Sequence, residues 1–170
     1  MNNLAAQLQL VSKGISTVPF GNRAERVLEN SDVNCSIHGR NFNIHDKKDI
    51  LRAAQEGIVF SYEYGMEIMR EMGMDIHTVK AGHANMFLSP IFAQTLASVS
   101  GSTIHLYNTD GAAGAAKGAG IGIGIYASNK EAFASLEKWG VIEPKTNKKE
   151  EYREAYQRWK SLVVNQINNY

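Results

Sequence analysis

Lys80-Ala81-Gly82-His83-Ala84-Asn85 is the stretch of this 170-residue chain whose residue types best suit contact with a ligand. A small-residue turn lets backbone N–H groups approach an anion or a purine edge, and a helix N-terminus after it adds positive potential. The same residues also suit a plain strand-to-helix connection, because the turn holds a single glycine. A second stretch, Gly122-Ile123-Gly124-Ile125-Tyr126-Ala127, has the G-x-G-x-x-A spacing of dinucleotide sites. That spacing binds a dinucleotide only between a strand and a helix of a βαβ unit. Here it ends a run of Gly, Ala and Ile that reads as helix, which disfavours a Rossmann oxidoreductase. Each helical glycine costs up to about 1 kcal/mol of propensity. Gly118, Gly120, Gly122 and Gly124 therefore predict a face held close to backbone or to a flat ligand.

Other chemistries find less support. His38, His45, His77, His83 and His105 have no i, i+4 pairing and no cysteine cluster beside them, so no metal site is expected. Only His83 falls in the loop of interest. There is no G-x-S-x-G elbow and no P-loop. A formal charge of +1 gives no electrostatic case for nucleic acid or an anionic membrane. The lone Cys35 suits a reducing cytoplasm and reads as a small half-buried residue. Met1–Leu10 lacks a basic start and a continuous apolar run, so no signal peptide is expected. The longest apolar stretch, Ala112–Ala127, is interrupted by Lys117 and glycines and is shorter than the ~20 residues of a membrane span.

The elements that must position the loop can be read from periodicity. Asn3–Lys13 suits a helix ended by Gly14. Residues 1–46 otherwise read as irregular structure with a hairpin, with extended pieces near Cys35–His38 and Phe42–Ile44 and turns at Pro19, Gly21 and Gly39. A long helix starts at Asp46 or Asp49, with Leu51, Ala54, Ile58, Tyr62, Gly65, Met69 and Met72 on one stripe and Gly73 as its stop. On it, Arg52 and Glu56 stand one turn apart and can pair, an exposed pair being worth only ~0.3–0.5 kcal/mol. Ile76–Lys80 predicts a strand. Ser89-Pro90 predicts a helix start, and that helix should stop at Gly101. Thr103–Tyr107 predicts a second strand, and Thr109 or Asp110 caps the Gly/Ala helix. A short helix is expected near Lys130–Trp139, a loop over Gly140–Asn147, and an amphipathic helix over residues 148–168. Residues 47–140 thus form a core α/β unit, and 170 residues make one domain or a large piece of one.

Several motifs, in order, resemble one family. Val79-Lys80-Ala81-Gly82-His83-Ala84-Asn85, then Gln94-x-Leu96-Ala97-x-Val99-x-Gly101, then Gly114-Ala115-Ala116, resemble the C-terminal half of FGGY-family carbohydrate kinases, xylulokinases in particular. Arg52-Ala53-Ala54-Gln55-Glu56-Gly57 resembles the family's Arg-Ala-x-x-Glu-Gly helix, and Pro19-Phe20-Gly21-Asn22-Arg23 its Pro-x-x-Gly-Glu-Arg turn. The resemblance implies an actin-like, ribonuclease H-like α/β fold with a mixed sheet and flanking helices. It implies ATP and Mg²⁺ as cofactors, with Ala81, Gly82, His83, Ala84 and Asn85 against the adenosine and phosphates. The implied parent reaction is transfer of the γ-phosphoryl group to a ketose, D-xylulose first among them, the sugar being met only with an N-terminal domain that this chain lacks.

The chain departs from the family pattern at several points. It has no Gly-Asp pair to carry the catalytic Asp and no Gly-Thr-Ser phosphate loop. His83 replaces a loop glycine, and about four extra residues (Met86–Ser89) precede the next helix. Met1 would fall midway through the second domain. The isolated chain is accordingly expected to be inactive and to self-associate through exposed apolar surface. A rival reading is a non-catalytic nucleotide-binding or assembly module of actin-like fold.

Overall fold

The computed structural model describes residues 11–21 and 26–168. The expected N-terminal helix falls mostly outside them, as do Asn22 and Arg23 of the Pro19–Arg23 turn. Two short strands, β1 (Ser16–Val18) and β2 (Ser36–His38), pair antiparallel. The helix α1 (Lys47–Glu71) follows. Next come β3 (Thr78–Gly82), α2 (Pro90–Ser100), β4 (Thr103–Tyr107) and α3 (Gly111–Gly122). A four-residue helix α4 (Asn129–Ala132), strand β5 (Lys138–Ile142) and the C-terminal helix α5 (Lys149–Asn168) complete the order.

The second sheet runs β3-β4-β5, with β3 and β4 parallel and β5 antiparallel to β4. It is the mixed sheet with flanking helices expected of an actin-like, ribonuclease H-like domain. Alternation along β4 sends Ile104 and Leu106 into the core against Val59 and Met66 of α1 and Phe92, Leu96 and Ala97 of α2. A second core joins Val18, Phe20, Leu28 and Val33 to Phe60 of α1 and to Tyr156, Trp159 and Val163 of α5. The long helix therefore carries both cores.

α1 begins where the sequence places it. The Asp46 carboxylate accepts from the N–H groups of Lys48 and Asp49, and the Asp49 carboxylate accepts from the Asp46 N–H at 2.9 Å, a capping box. At its end the Gly73 N–H donates to the Arg70 carbonyl and the Met74 N–H to the Met69 carbonyl, with Gly73 at φ +88°, a Schellman closure. Midway, Gly57 lets β1 lie directly on the helix. A Cβ there would stand 2.1 Å from the Thr17 carbonyl oxygen. The buried Trp159 indole donates to that same carbonyl at 2.9 Å, tying α5 to the crossing.

Several expectations are corrected. Phe42–Ile44 forms a turn rather than a strand. The strand expected at Ile76–Lys80 sits two residues later, where parallel pairing with β4 sets its register. The helix expected over Lys130–Trp139 stops at Ala132, and the expected loop from Gly140 begins as β5. There Lys138, Gly140, Val141 and Ile142 find ladder partners on β4 that no local pattern could announce. Cys35 is exposed rather than half-buried.

Candidate nucleotide-facing site

β3 and β4 run parallel and end together, so their carboxyl-terminal loops form one rim. Ligands of open α/β sheets bind at such a rim. Ala81 and Gly82 end β3, where Gly82 pairs with Tyr107. The His83 N–H donates to the Tyr107 carbonyl at 2.8 Å, and the Ala84 N–H turns back to the Gly82 carbonyl at 2.8 Å. Those two donors are thus spent on the rim itself. Asn85 adopts φ +51° and opens a single 3-10 turn, Asn85–Leu88.

Gly82 has a sharper role than loop flexibility. A Cβ at this position would lie 2.2 Å from the Thr109 carbonyl oxygen and 2.9 Å from its carbon. The loop after β3 and the loop after β4 therefore touch backbone to backbone. The contact brings the N-terminus of α3 to the rim. Asp110 caps that helix by accepting from the Ala113 N–H at 2.8 Å, and Gly111 and Ala112 stand exposed beside it. The aligned N–H groups of this twelve-residue helix give the rim a partial positive charge.

Two clefts flank the rim. One, of about 520 Å³, runs from Ala81, Gly82 and Asn85 to Met66, Met69 and Phe87 and reaches Asp110 and Gly111. The other, of about 430 Å³, lies between Lys80, Tyr107 and Thr109 and the Phe133–Leu136 segment. Beside the rim the His83 ring packs against the exposed Trp139 ring at 5.4 Å, tilted by 55°. Trp139 comes from β5, so its part in the site was invisible while that segment read as the end of a helix.

The structure thus brings Ala81, Gly82, His83, Ala84 and Asn85 together at one rim, with the α3 N-terminus beside them. Of Gly118, Gly120, Gly122 and Gly124, only Gly120 has a close neighbour, and that neighbour is a side chain rather than backbone. The Gly120 Cα packs under Tyr126, whose nearest ring carbons would lie 2.8 and 3.0 Å from an added Cβ. Around Gly118 and Gly122 nothing comes within 4 Å of that point, and Gly124 serves as a turn at φ +78°. Small, mostly apolar walls and a helix N-terminus fit a nucleotide. A resident metal fits less well. Among the described residues no three His, Cys, Asp or Glu side chains gather, and Asp110, the carboxylate at the rim, is engaged as a cap.

No family model matches the sequence. The chain is 34% identical over 126 residues to the L-xylulose/3-keto-L-gulonate kinase of Escherichia coli (strain K12), a match that covers 71% of this chain and 25% of that protein. It is 27% identical over 167 residues to the xylulose kinase of Haemophilus influenzae, covering 94% of this chain and 33% of that one. Among solved structures, the xylulose kinase from Rhodospirillum rubrum superimposes with a TM-score of 0.77 at 20% identity, over 96% of this chain and 33% of that one. The chain therefore spans a quarter to a third of the length of the curated relatives it matches. Among the described residues no helix is long and apolar enough to cross a membrane.

Proposed function

Because this chain belongs to the FGGY family of carbohydrate kinases, as a portion of the C-terminal domain, we propose that its β3–β4 rim is the adenosine-side wall of an ATP site. The backbone contact between Gly82 and Thr109 carries the reading, because it joins the Ala81–Asn85 loop to the α3 N-terminus in one concave edge. Ala81, Gly82 and Ala84 offer flat apolar walls to a purine. The Gly111 end of α3 offers positive potential to phosphate oxygens. His83 and Trp139 close the side of the loop.

The parent activity in this reading is phosphorylation of a ketose, D-xylulose, by MgATP. A sugar hydroxyl oxygen bonds to the γ-phosphorus, the bridging bond to the β-phosphate breaks, and ADP leaves. The hydroxyl proton passes to a carboxylate base. That base and the sugar contacts come from parts of the kinase outside this chain, whose sequence has no Gly-Asp pair. Such transfer rests on positioning and charge stabilisation, so one wall without the rest holds nucleotide and turns nothing over.

Trp139 supplies the test. The chain has two tryptophans, and the other, Trp159, is fully buried. Titration with ATP and Mg²⁺ is expected to change Trp139 fluorescence with a Kd on the order of 1 mM, as befits half a site. Trp139→Phe should abolish the signal. No change up to ~10 mM nucleotide refutes the nucleotide wall. ATP-dependent phosphorylation of D-xylulose by the chain alone refutes its inactivity.

A further inference from the structure

A third cleft lies away from the rim, and the geometry points to it as a binding site for a phosphoryl-type dianion. It measures about 360 Å³ and is framed by the first turn of α2, the approach to α5, and Arg52 of α1. It shares no lining residue with either cleft at the rim.

The lining is built for an anion. Its eight residues include three cations, Arg52, Lys145 and Lys148, and no carboxylate side chain. Arg52 is only 5% exposed and its guanidinium is held rigidly. Its Nε donates to Glu56 Oε1 at 2.7 Å, and its Nη2 donates to Thr95 Oγ1 at 3.2 Å and to the Tyr152 hydroxyl at 3.3 Å. Glu56 neutralises one charge from behind the cleft, which leaves the two lysines uncompensated in the lining. Because Thr95 and Tyr152 accept from Arg52, each keeps its hydroxyl hydrogen to donate elsewhere. The two hydroxyls also form a long hydrogen bond with each other at 3.5 Å, which engages one hydrogen and leaves the other to turn outward.

Other elements reinforce the field. Pro90 and Ile91 set the N-terminal turn of the eleven-residue α2 at the cleft, with its dipole directed there. The nearby Glu143 carboxylate is drawn off by the Thr103 hydroxyl at 2.7 Å and does not line the cleft. The backbone that carries the lysines is anchored, since the Lys145 N–H donates to Ser98 Oγ at 3.1 Å. The cleft has room beyond a single phosphoryl group, so the anion is either free phosphate or the head of a phosphate ester.

The experiment is thermal unfolding of the full chain at fixed pH and ionic strength, with chloride exchanged for inorganic phosphate or for glycerol 3-phosphate. Binding with a Kd on the order of 1 mM predicts a rise in Tm of about 4 °C at ~10 mM ligand. The double variant Lys145→Glu, Lys148→Glu should lose that rise without a lower Tm in chloride, because neither side chain has a hydrogen-bond or ion-pair partner among the described residues and the added carboxylates face Arg52 and a helix N-terminus. Lys145→Arg with Lys148→Arg should retain the rise. A larger rise with the ester places its organic part in the cleft, and equal rises assign free phosphate; either supports the site. No rise in the native chain, or an equal rise in the charge-reversed variant, overturns it. The variant leaves the rim intact, so Trp139 titration with ATP reports separately on the nucleotide reading.

Discussion

Replacing Gly82 by alanine tests the geometry on which the rim depends. The added Cβ would lie 2.2 Å from the Thr109 oxygen and 3.3 Å from the Asp110 Cα, against an ordinary contact of 3.4–4 Å. Both neighbours are backbone, so no side chain can rotate away, and the β4–α3 loop must retreat by more than an ångström. Gly82 is not among the positive-φ glycines, so the cost is steric alone. Overpacking of this kind costs about 2 kcal/mol, or roughly 6 °C in Tm for a chain of this size. Gly118→Ala is the matched control. Nothing lies within 4 Å of its Cβ, and it sits inside α3, where alanine is favoured over glycine by about 0.8 kcal/mol. The same methyl group should therefore lower Tm by roughly 6 °C at Gly82 and raise it by roughly 2 °C at Gly118. The Gly82 variant should also weaken the ATP-dependent change in Trp139 fluorescence, because the α3 N-terminus moves with Thr109. Equal effects at the two sites, or an unchanged Tm for Gly82→Ala, would refute the claim that backbone contact builds the rim.

Two further outcomes follow from buried charge. Arg52→Met removes the cation that pairs with the buried Glu56 carboxylate at 2.7 Å and should cost about 4 kcal/mol in urea unfolding; the double variant Arg52→Met, Glu56→Leu should recover most of that. Glu67 titrates with its carboxyl below the ordinary value: burial opposes ionisation, but the Lys160 ammonium at 2.7 Å and the Tyr156 hydroxyl at 2.6 Å outweigh it. A lowered folded-state pKa contributes stability above the unfolded value that is lost as pH falls through the folded one. Glu67→Gln should therefore unfold at a lower Tm than the native chain at neutral pH, with the gap closing as pH drops below about 4.5, the ordinary glutamate value. A gap that stays constant across that range would refute this assignment.

The parts legible in the sequence were those encoded by local chemistry. Asp46 and Asp49 start α1, Ser89 and Pro90 start α2, and Gly101 ends α2 in the left-handed conformation at φ +70°. Each acts on backbone groups within a few residues, so its signal sits beside its effect. The alternation in Thr103–Tyr107 likewise marked β4 to the residue. β5 was not legible, because Lys138-Trp139-Gly140-Val141-Ile142 becomes a strand only through pairing with β4, some thirty-five residues away. With β5 went Trp139 and its contact to His83. Arg52 and Glu56 were legible as a helical pair, but their burial was not, since Thr95 and Tyr152 reach Arg52 from distant elements.

By itself the sequence determined the helix ends, the identity of the small-residue loop and the order of motifs that sets this chain among the FGGY kinases. Those depend on side chains acting on their own stretch of backbone, or on residue identity alone. Only the tertiary structure decided why Gly82 must be glycine, which glycines of α3 touch anything, and where three cations from α1 and the approach to α5 converge. Those outcomes depend on which backbone atoms arrive from elsewhere, as the Thr109 carbonyl does at Gly82, and spacing along one chain holds no record of distances between segments.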